Sequence, residues 1–432
     1  MSSLAFLGGK PVRTRPFASQ NTIGEEEKRA VMEVLDSGVL SKFVGEYGPD
    51  FYGGPRVKKI ESEFAARFGV RHAIATNSAT TALHVAVAAA GIGPGDEVIV
   101  SPYTMSASAT SVLMQNAVPV FADVQDDIFC LDPDSVRKRI TPYTRAIMVT
   151  HLFGHPADMK PIMEIAQEYN LRVLEDAAQA VGATYNGEFA GALGDVGVMS
   201  LNFHKIIHAG EGGIVLTNDD TLAERARLVR NHGECVVERM GWTDIVNTMG
   251  SNYRMTEIEA AIGAEQLRKL DRLVAHRRKL AGHLTRRLAG LDGIVKPPIT
   301  NPRATHTFYA YPVRFNGLRA GVSRHTFTRA LRAEGTSFNE GYVRPLYLLP
   351  LYQKRTVYGT CGCPWTCGHY KGKVSYEKGI CPNAERLHER ELLLADICHY
   401  PLTTEDMDDV ANAFDKILRH LPELKAWETT HG

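Results

Sequence analysis

The sequence predicts an α/β protein: a mainly parallel central sheet sandwiched by helices, with a smaller C-terminal α+β domain. Two observations carry this. From residue 73 onward, short apolar runs bounded by Gly, Pro, Asp or Asn recur, each followed by a turn and a helical stretch. That alternation is the mark of a parallel sheet covered on both faces. From about Asp271 it fades into a long basic helix and then into shorter mixed segments. A division near residue 285 follows. It assigns 1–285 to an N-terminal segment plus the large domain, and 286–432 to the small domain.

The elements are justified in chain order. Residues 56–68 place Val57, Ile60, Phe64 and Phe68 at helical spacing, giving one apolar face. The runs 73–75, 97–100, 118–121, 146–150, 172–174 and 196–199 are short and often β-branched, and read as strands. Leu270, Leu273, Leu280, Leu284 and Leu288 line the long helix. Residues 308–315 read as a strand, and a helix starts at Ser323. A closing helix over 404–421 opens on Thr404 in a capping-box pattern.

Composition narrows the function. Lys plus Arg and Asp plus Glu are both 49, and the net charge of zero argues against a nucleic-acid partner. Hydrophobic residues at 44% and charged residues at 23% suit an ordinary globular protein. No window approaches the ~20 apolar residues of a membrane span. Seven cysteines form no even framework, and the N-terminus lacks a charged and then apolar leader. The expectation is a cytoplasmic protein with reduced thiols. His151 and His155 have metal-pair spacing, but Gly154 and Pro156 break any helix there. Cys361, Cys363, Cys367, His369 and Cys381 cluster without a standard finger spacing, so buried thiols are favoured over a zinc loop and no metal is expected.

Sheets of this kind place their sites at the carboxyl ends of the strands. The first strand ends in Thr76-Asn77-Ser78-Ala79-Thr80-Thr81-Ala82. Hydroxyls and free amides at a helix start suit a phosphate, or serve as a plain N-cap. Gly91-Ile92-Gly93-Pro94-Gly95 precedes a strand and fails the dinucleotide fingerprint. The run 172–174 ends in Glu175-Asp176, either a cap for a following helix or a carboxylate held at the sheet edge. The next ends in Ser200-Leu201-Asn202-Phe203-His204-Lys205, beside a Gly-rich stretch. A desolvated lysine there is a nucleophile toward carbonyls. Each motif is weak alone. Together they form the set that pyridoxal 5'-phosphate requires: a phosphate cradle, an acid for the ring nitrogen, and a lysine 29 residues later for the aldehyde.

On these residues the chain resembles the DegT/DnrJ/EryC1/StrS family of pyridoxal-phosphate-dependent sugar aminotransferases, which have the fold-type I architecture. Matching segments include Gly38-Val39-Leu40-Ser41, 77–83, 102–104, 119–123, 151–159, 175–180, 200–205, 210–213 and 252–255. Gly341-Tyr342, Pro345-Leu346-Tyr347 and 398–401 also match. The resemblance implies that Lys205 binds the cofactor's aldehyde and Asp176 pairs with its ring nitrogen. Ser78, Ala79, Thr80 and Ser200 would hold the phosphate, and Gln179 would lie near the ring oxygen. Asn252 would reach the phosphate of a neighbouring subunit, making the active unit a homodimer with shared sites. Tyr342 falls on the substrate side. Met105 stands where the family usually stacks an aromatic on the ring. Tyr103 shares its parity along an extended stretch and is expected to share that face.

The resemblance implies an aminotransferase that moves an amino group from glutamate or glutamine to a keto-sugar, either nucleotide-linked or a keto-cyclitol. Two rivals are a dehydratase of the same family, whose members use His at the Lys205 position, and a non-catalytic regulator. The Ser-to-Lys spacing puts Lys205 and not the adjacent His204 at the site, which disfavours the dehydratase, and retention of Lys205 and Asp176 argues against the regulator.

Overall fold

Short apolar runs form the central sheet, in a computed structural model that describes residues 4–291 and 293–431. The strands are β1 His72–Thr76, β2 Glu97–Val100, β3 Val118–Phe121, β4 Thr144–Thr150 and β5 Arg172–Asp176. A hairpin of β6 Thr184–Tyr185 and β7 Glu188–Phe189 intervenes before β8 Val196–Ser200 and β9 Gly213–Thr217. The order is β1-β9-β8-β5-β4-β2-β3. Neighbours from β8 through β3 are parallel, and β9 runs antiparallel to both β1 and β8. β2, β3, β8 and β9 are buried at every residue, which is why they read as unbroken apolar runs rather than alternating ones.

The expected alternation fails in one place that matters. β5 runs on through Glu175 and Asp176, and no described helix follows it until Asp220–Arg230. Asp176 is therefore a strand residue and not a helix cap. β8 likewise ends in a turn that carries Lys205 and then reverses into β9. By contrast, the helix Pro55–Phe68 buries Val57, Ile60, Phe64 and Phe68 as expected.

The 32-residue helix Glu257–Leu288 starts on a capping box between Thr256 and Glu259. Its first half packs Ala260, Leu267 and Leu270 against Phe64 and Ile214. Its second half packs Leu280, Leu284 and Leu288 into a separate apolar cluster with Leu4, Tyr311, Phe327 and Phe414. That cluster lies against a four-stranded antiparallel sheet. Its members are β10 Val295–Lys296, β12 Tyr311–Phe315, β13 Asn339–Glu340 and β14 Leu392–Ala395, in the order β10-β12-β14-β13, while β11 Ala304–Thr305 pairs with β6.

Two C-terminal expectations need correction. The strand expected over 308–315 begins only at Tyr311, because Phe308 has a left-handed backbone (φ 51°) and stacks its ring on His306. The closing helix Thr404–Arg419 is capped by Thr403 with Asp406, one residue earlier than expected. A further helix, Leu421–His431, follows it.

Residues 346–387 return to the large sheet. Tyr347, Tyr352, Trp365 and Tyr376 join the same cluster as Phe121 of β3, and the Tyr376 hydroxyl donates to the Pro119 carbonyl at 2.7 Å. This covers the edge strand β3, which would otherwise offer unpaired backbone groups. Cys363 and Cys367 form a disulfide within this segment. The reduced-thiol expectation therefore fails for that pair, and two of the five grouped ligand types are bonded to each other. Cys361 is exposed and Cys381 buried. No described helix is long and apolar enough to cross a membrane.

Candidate active site

A cavity of about 200 Å³ opens at the carboxyl ends of β1, β4, β5 and β8. Its wall contains Ser78, Ala79, Thr80, Met105, Asp176, Gln179, Ser200, Lys205 and Tyr342. Every residue named from the sequence for the cofactor or substrate thus meets at one place, except Asn252 and Tyr103. Asn252 is exposed, lies in an isolated bridge with Asn231, and does not line this cavity. Nor does it cap the long helix, a task performed by Thr256.

The turn after β1 is built for close approach. Ser78 caps the helix Ala79–Ala89, its hydroxyl accepting the Thr81 amide at 3.2 Å. The Ala79 and Thr80 amides, in the first turn of that helix, have no intrahelical acceptor. β9 packs directly against this turn. A Cβ on Gly213 would fall 2.3 Å from the Ser78 carbonyl oxygen, so only glycine fits.

Lys205 is 8% exposed. Its amide donates to the Asn202 carbonyl, and its own carbonyl accepts from Gln20 Nε2, both at 2.9 Å. Its Nζ lies 4.6 Å from the centroid of the Tyr309 ring. Burial pushes the amine down to about 8, against the opposing pull of Asp176. A buried amine of this kind is in part neutral near pH 8 and able to act as base or nucleophile.

Asp176, the last residue of β5, accepts from Ser108 Oγ at 2.6 Å and from the Ala178 amide at 3.2 Å. Gln179 accepts the Phe153 amide at 2.9 Å and donates to the Tyr342 hydroxyl at 2.9 Å. Tyr103 is fully buried and outside the cavity wall, its hydroxyl accepting the Tyr342 amide at 2.9 Å. The expectation that Tyr103 shares the ring face with Met105 is corrected: Tyr103 props the Tyr342 loop. Met105 itself is 55% exposed at the cavity.

Glu175 and Asp176 divide the work. Glu175 is buried away from the cavity and accepts the amides of Gly191, Leu193 and Gly194. It also meets His151 Nε2 at 2.8 Å, while His151 Nδ1 accepts the Ala157 amide. His151 therefore carries its proton on Nε2 and donates it to Glu175. His155 uses both nitrogens as well, toward the Pro156 carbonyl and the Asn301 amide. This pair is a structural fastening.

Sequence reasoning missed Ser108, Tyr309, Thr150 and Glu211. Thr150 sits beside Asp176 in the β4–β5 register, is 3% exposed, and leaves its hydroxyl in the cavity wall without a partner. An orphaned buried hydroxyl, free helix amides, a carboxylate and a buried amine fit pyridoxal 5'-phosphate. Ser78, Ala79, Thr80 and Ser200 could hold its phosphate, Asp176 its ring nitrogen, and Lys205 its aldehyde.

The model of the DegT/DnrJ/EryC1/StrS aminotransferase family matches residues 21–415. The chain belongs to that family. It is a pyridoxal-phosphate-dependent aminotransferase of fold-type I. The aminotransferase is 43% identical over 326 residues to GDP-perosamine synthase of Caulobacter vibrioides, covering 76% of this chain and 84% of that protein. It is 36% identical over 431 residues to L-glutamine:2-deoxy-scyllo-inosose aminotransferase of Streptomyces paromomycinus, covering 97% and 98%. Among solved structures, S. venezuelae DesV in complex with a ketimine intermediate aligns with a TM-score of 0.76 at 33% identity, covering 91% of this chain and 94% of that one.

Proposed function

We propose that this aminotransferase takes an amino group from glutamate or glutamine and delivers it to the ketone of a sugar, nucleotide-linked or a keto-cyclitol. The observation that carries the reading is the buried Lys205 amine, lowered to about 8, in one cavity with Asp176 and the Ser78 turn. The named activities of the two relatives support the acceptor class.

Bound pyridoxal phosphate supplies an electron sink for the carbon that loses its proton. The protein's own groups do the rest. Lys205 Nζ takes the proton from the donor's α-carbon and later returns one to the acceptor's carbon. Asp176 holds the proton on the ring nitrogen. Ser78, Ala79, Thr80 and Ser200 would anchor the phosphate, Gln179 and Tyr342 would border the reacting face, and Met105 would offer its side chain to the ring.

We further assign the active unit to a cytoplasmic homodimer in which Asn252 reaches the partner's phosphate site. Leu40, Val44, Tyr47, Phe203, Ile245 and Met249 expose large apolar side chains, and a second copy would remove them from water. The division into domains near residue 285 is part of the same proposal, supported by the two separate apolar clusters along the long helix, with residues 346–387 packing back on the large sheet.

The test is a panel of keto-sugars and keto-cyclitols offered to enzyme already treated with glutamate or glutamine. Return of absorbance near ~420 nm identifies an acceptor. Failure of every keto-sugar and keto-cyclitol, with simple 2-oxo acids succeeding, would overturn the acceptor class.

A further inference from the structure

Ser108 does not line the cavity, yet its Oγ lies 2.6 Å from Asp176 Oδ2. The two side chains are buried, at 0% and 4% exposure. A carboxylate has no proton to give, so Ser108 donates this bond. Two other groups neighbour the Ser108 oxygen: Thr104 Oγ1 at 3.2 Å and the Met105 carbonyl at 3.3 Å. The carbonyl competes for the same single proton from a longer distance and without charge, so the carboxylate wins. With its proton committed, Ser108 can only accept from Thr104. The hydroxyls therefore form a directed chain, Thr104 to Ser108 to Asp176, at the start of the helix Ala107–Met114. The Ala178 amide holds the other carboxylate oxygen at 3.2 Å.

This arrangement gives Asp176 two fixed donors, Ser108 behind the cavity wall and the Ala178 amide within it. The other titratable groups coupled to it, Lys205 and Tyr342, stand in the wall itself. Donors to the ionised form stabilise it and set the plane of its carboxylate.

We propose that Ser108, backed by Thr104, is a positioning residue that orients Asp176 to keep the proton on the ring nitrogen of bound pyridoxal phosphate. The proposal rests on the reading of Asp176 as that nitrogen's partner. Ser108 lies outside the cavity wall and acts through the carboxylate, and Thr104, which lines the cavity, acts on the carboxylate through Ser108.

The experiment follows the ring-nitrogen signal of pyridoxal phosphate labelled with ¹⁵N, bound in the holoenzyme, across pH. The variants are Ser108→Ala, Ser108→Thr, Thr104→Val and Asp176→Asn. Ser108→Ala is expected to lose the ring proton at a pH lower by about one unit. Thr104→Val should move the same way by less, and Ser108→Thr should restore the wild-type midpoint. If Asp176→Asn moves the midpoint and Ser108→Ala does not, the hydroxyl chain is packing only and the proposal falls. If Asp176→Asn also leaves it unmoved, the reading of Asp176 itself falls. Should Ser108→Ala fail to bind the cofactor, Thr104→Val decides alone, and an unchanged midpoint there overturns the proposal.

Discussion

The Lys205 amine stands 4.6 Å from the centroid of the Tyr309 ring, across the junction between the large sheet and the C-terminal residues. Arg277, buried in the long helix, fixes this meeting by donating to the Phe308 and Tyr309 carbonyls at 2.9 and 3.1 Å. One wall of the reactive amine is thus supplied by a residue far along the chain, held in place by a helix that packs on both apolar clusters.

The lowered amine makes the stability of the cofactor-free protein depend on pH. Lys205 titrates at about 8 when folded and at its ordinary 10.5 when unfolded. Between those values the unfolded chain binds more protons, so stability rises with pH across the window. Below pH 8 the cost of burying the charge is fully present. Lys205→Met should therefore stabilise the cofactor-free protein at pH 7 by up to about 3 kcal/mol, with the gain shrinking toward pH 10.5. Urea unfolding at pH 7 and pH 10 measures this, and a gain that does not change with pH would contradict it. The same variant should lose activity by at least ~10²-fold, since proton transfer runs through this amine.

Asp176→Asn should keep the fold, because its one oxygen can still accept the Ala178 amide while Ser108 turns its proton to the Met105 carbonyl and accepts from the new NH2 group. Turnover should fall by about 10²–10³-fold, the loss seen when one charge partner of a transition state is removed. Steady-state rates at saturating substrates give the comparison. Near-normal turnover would leave Asp176 with no more than a structural task.

Met105 is exposed at the cavity, so a larger flat side chain has room. Met105→Phe should tighten cofactor binding by about 0.5–1.5 kcal/mol through ring stacking. Titration of cofactor-free protein checks this. A large loss of affinity would show that the ring face is closed to an aromatic at this position.

Glu175→Ala should damage the fold rather than the chemistry. It strands three amides and the His151 proton in a dry interior. Removing one partner of a buried charge network costs about 3–5 kcal/mol. A thermal melt within a degree or two of wild type would refute this.

Subunit mixing tests the shared site. Lys205→Ala and Asn252→Ala are each expected to be inactive as homodimers. If Asn252 serves the partner, a heterodimer has one doubly defective site and one intact site. Random exchange then returns about a quarter of wild-type sites. No return of activity, with exchange confirmed and Asn252→Ala inactive alone, would remove Asn252 from the shared site.

Much of the site was legible in the sequence because its chemistry is local to strand ends. Ser78, Asp176, Ser200 and Lys205 each follow or end a short apolar run, and a parallel sheet brings such ends to one edge. What misled was the assumption that every strand is followed by a helix. β5 is not, so Asp176 belongs to a strand, whereas the Gly-rich stretch after Lys205 does lead into the strand β9. Tyr103 misled through strand parity. The backbone there leaves the extended form before the helix Ala107–Met114, and the ring turns inward beneath Tyr342.

The sequence by itself determined the sheet and the helix Pro55–Phe68, because burial on both faces or on one helical face imposes a period that single residues cannot hide. It also determined the cofactor set, since phosphate, ring nitrogen and aldehyde each demand a different residue type at a strand end. Only the tertiary structure decided which side chains hold those groups in place: Ser108 against Asp176, Tyr309 against Lys205, Tyr342 against Gln179. These contacts join residues tens to hundreds of positions apart. They are selected by distance and direction in the folded interior, and neither leaves a periodic trace in the chain.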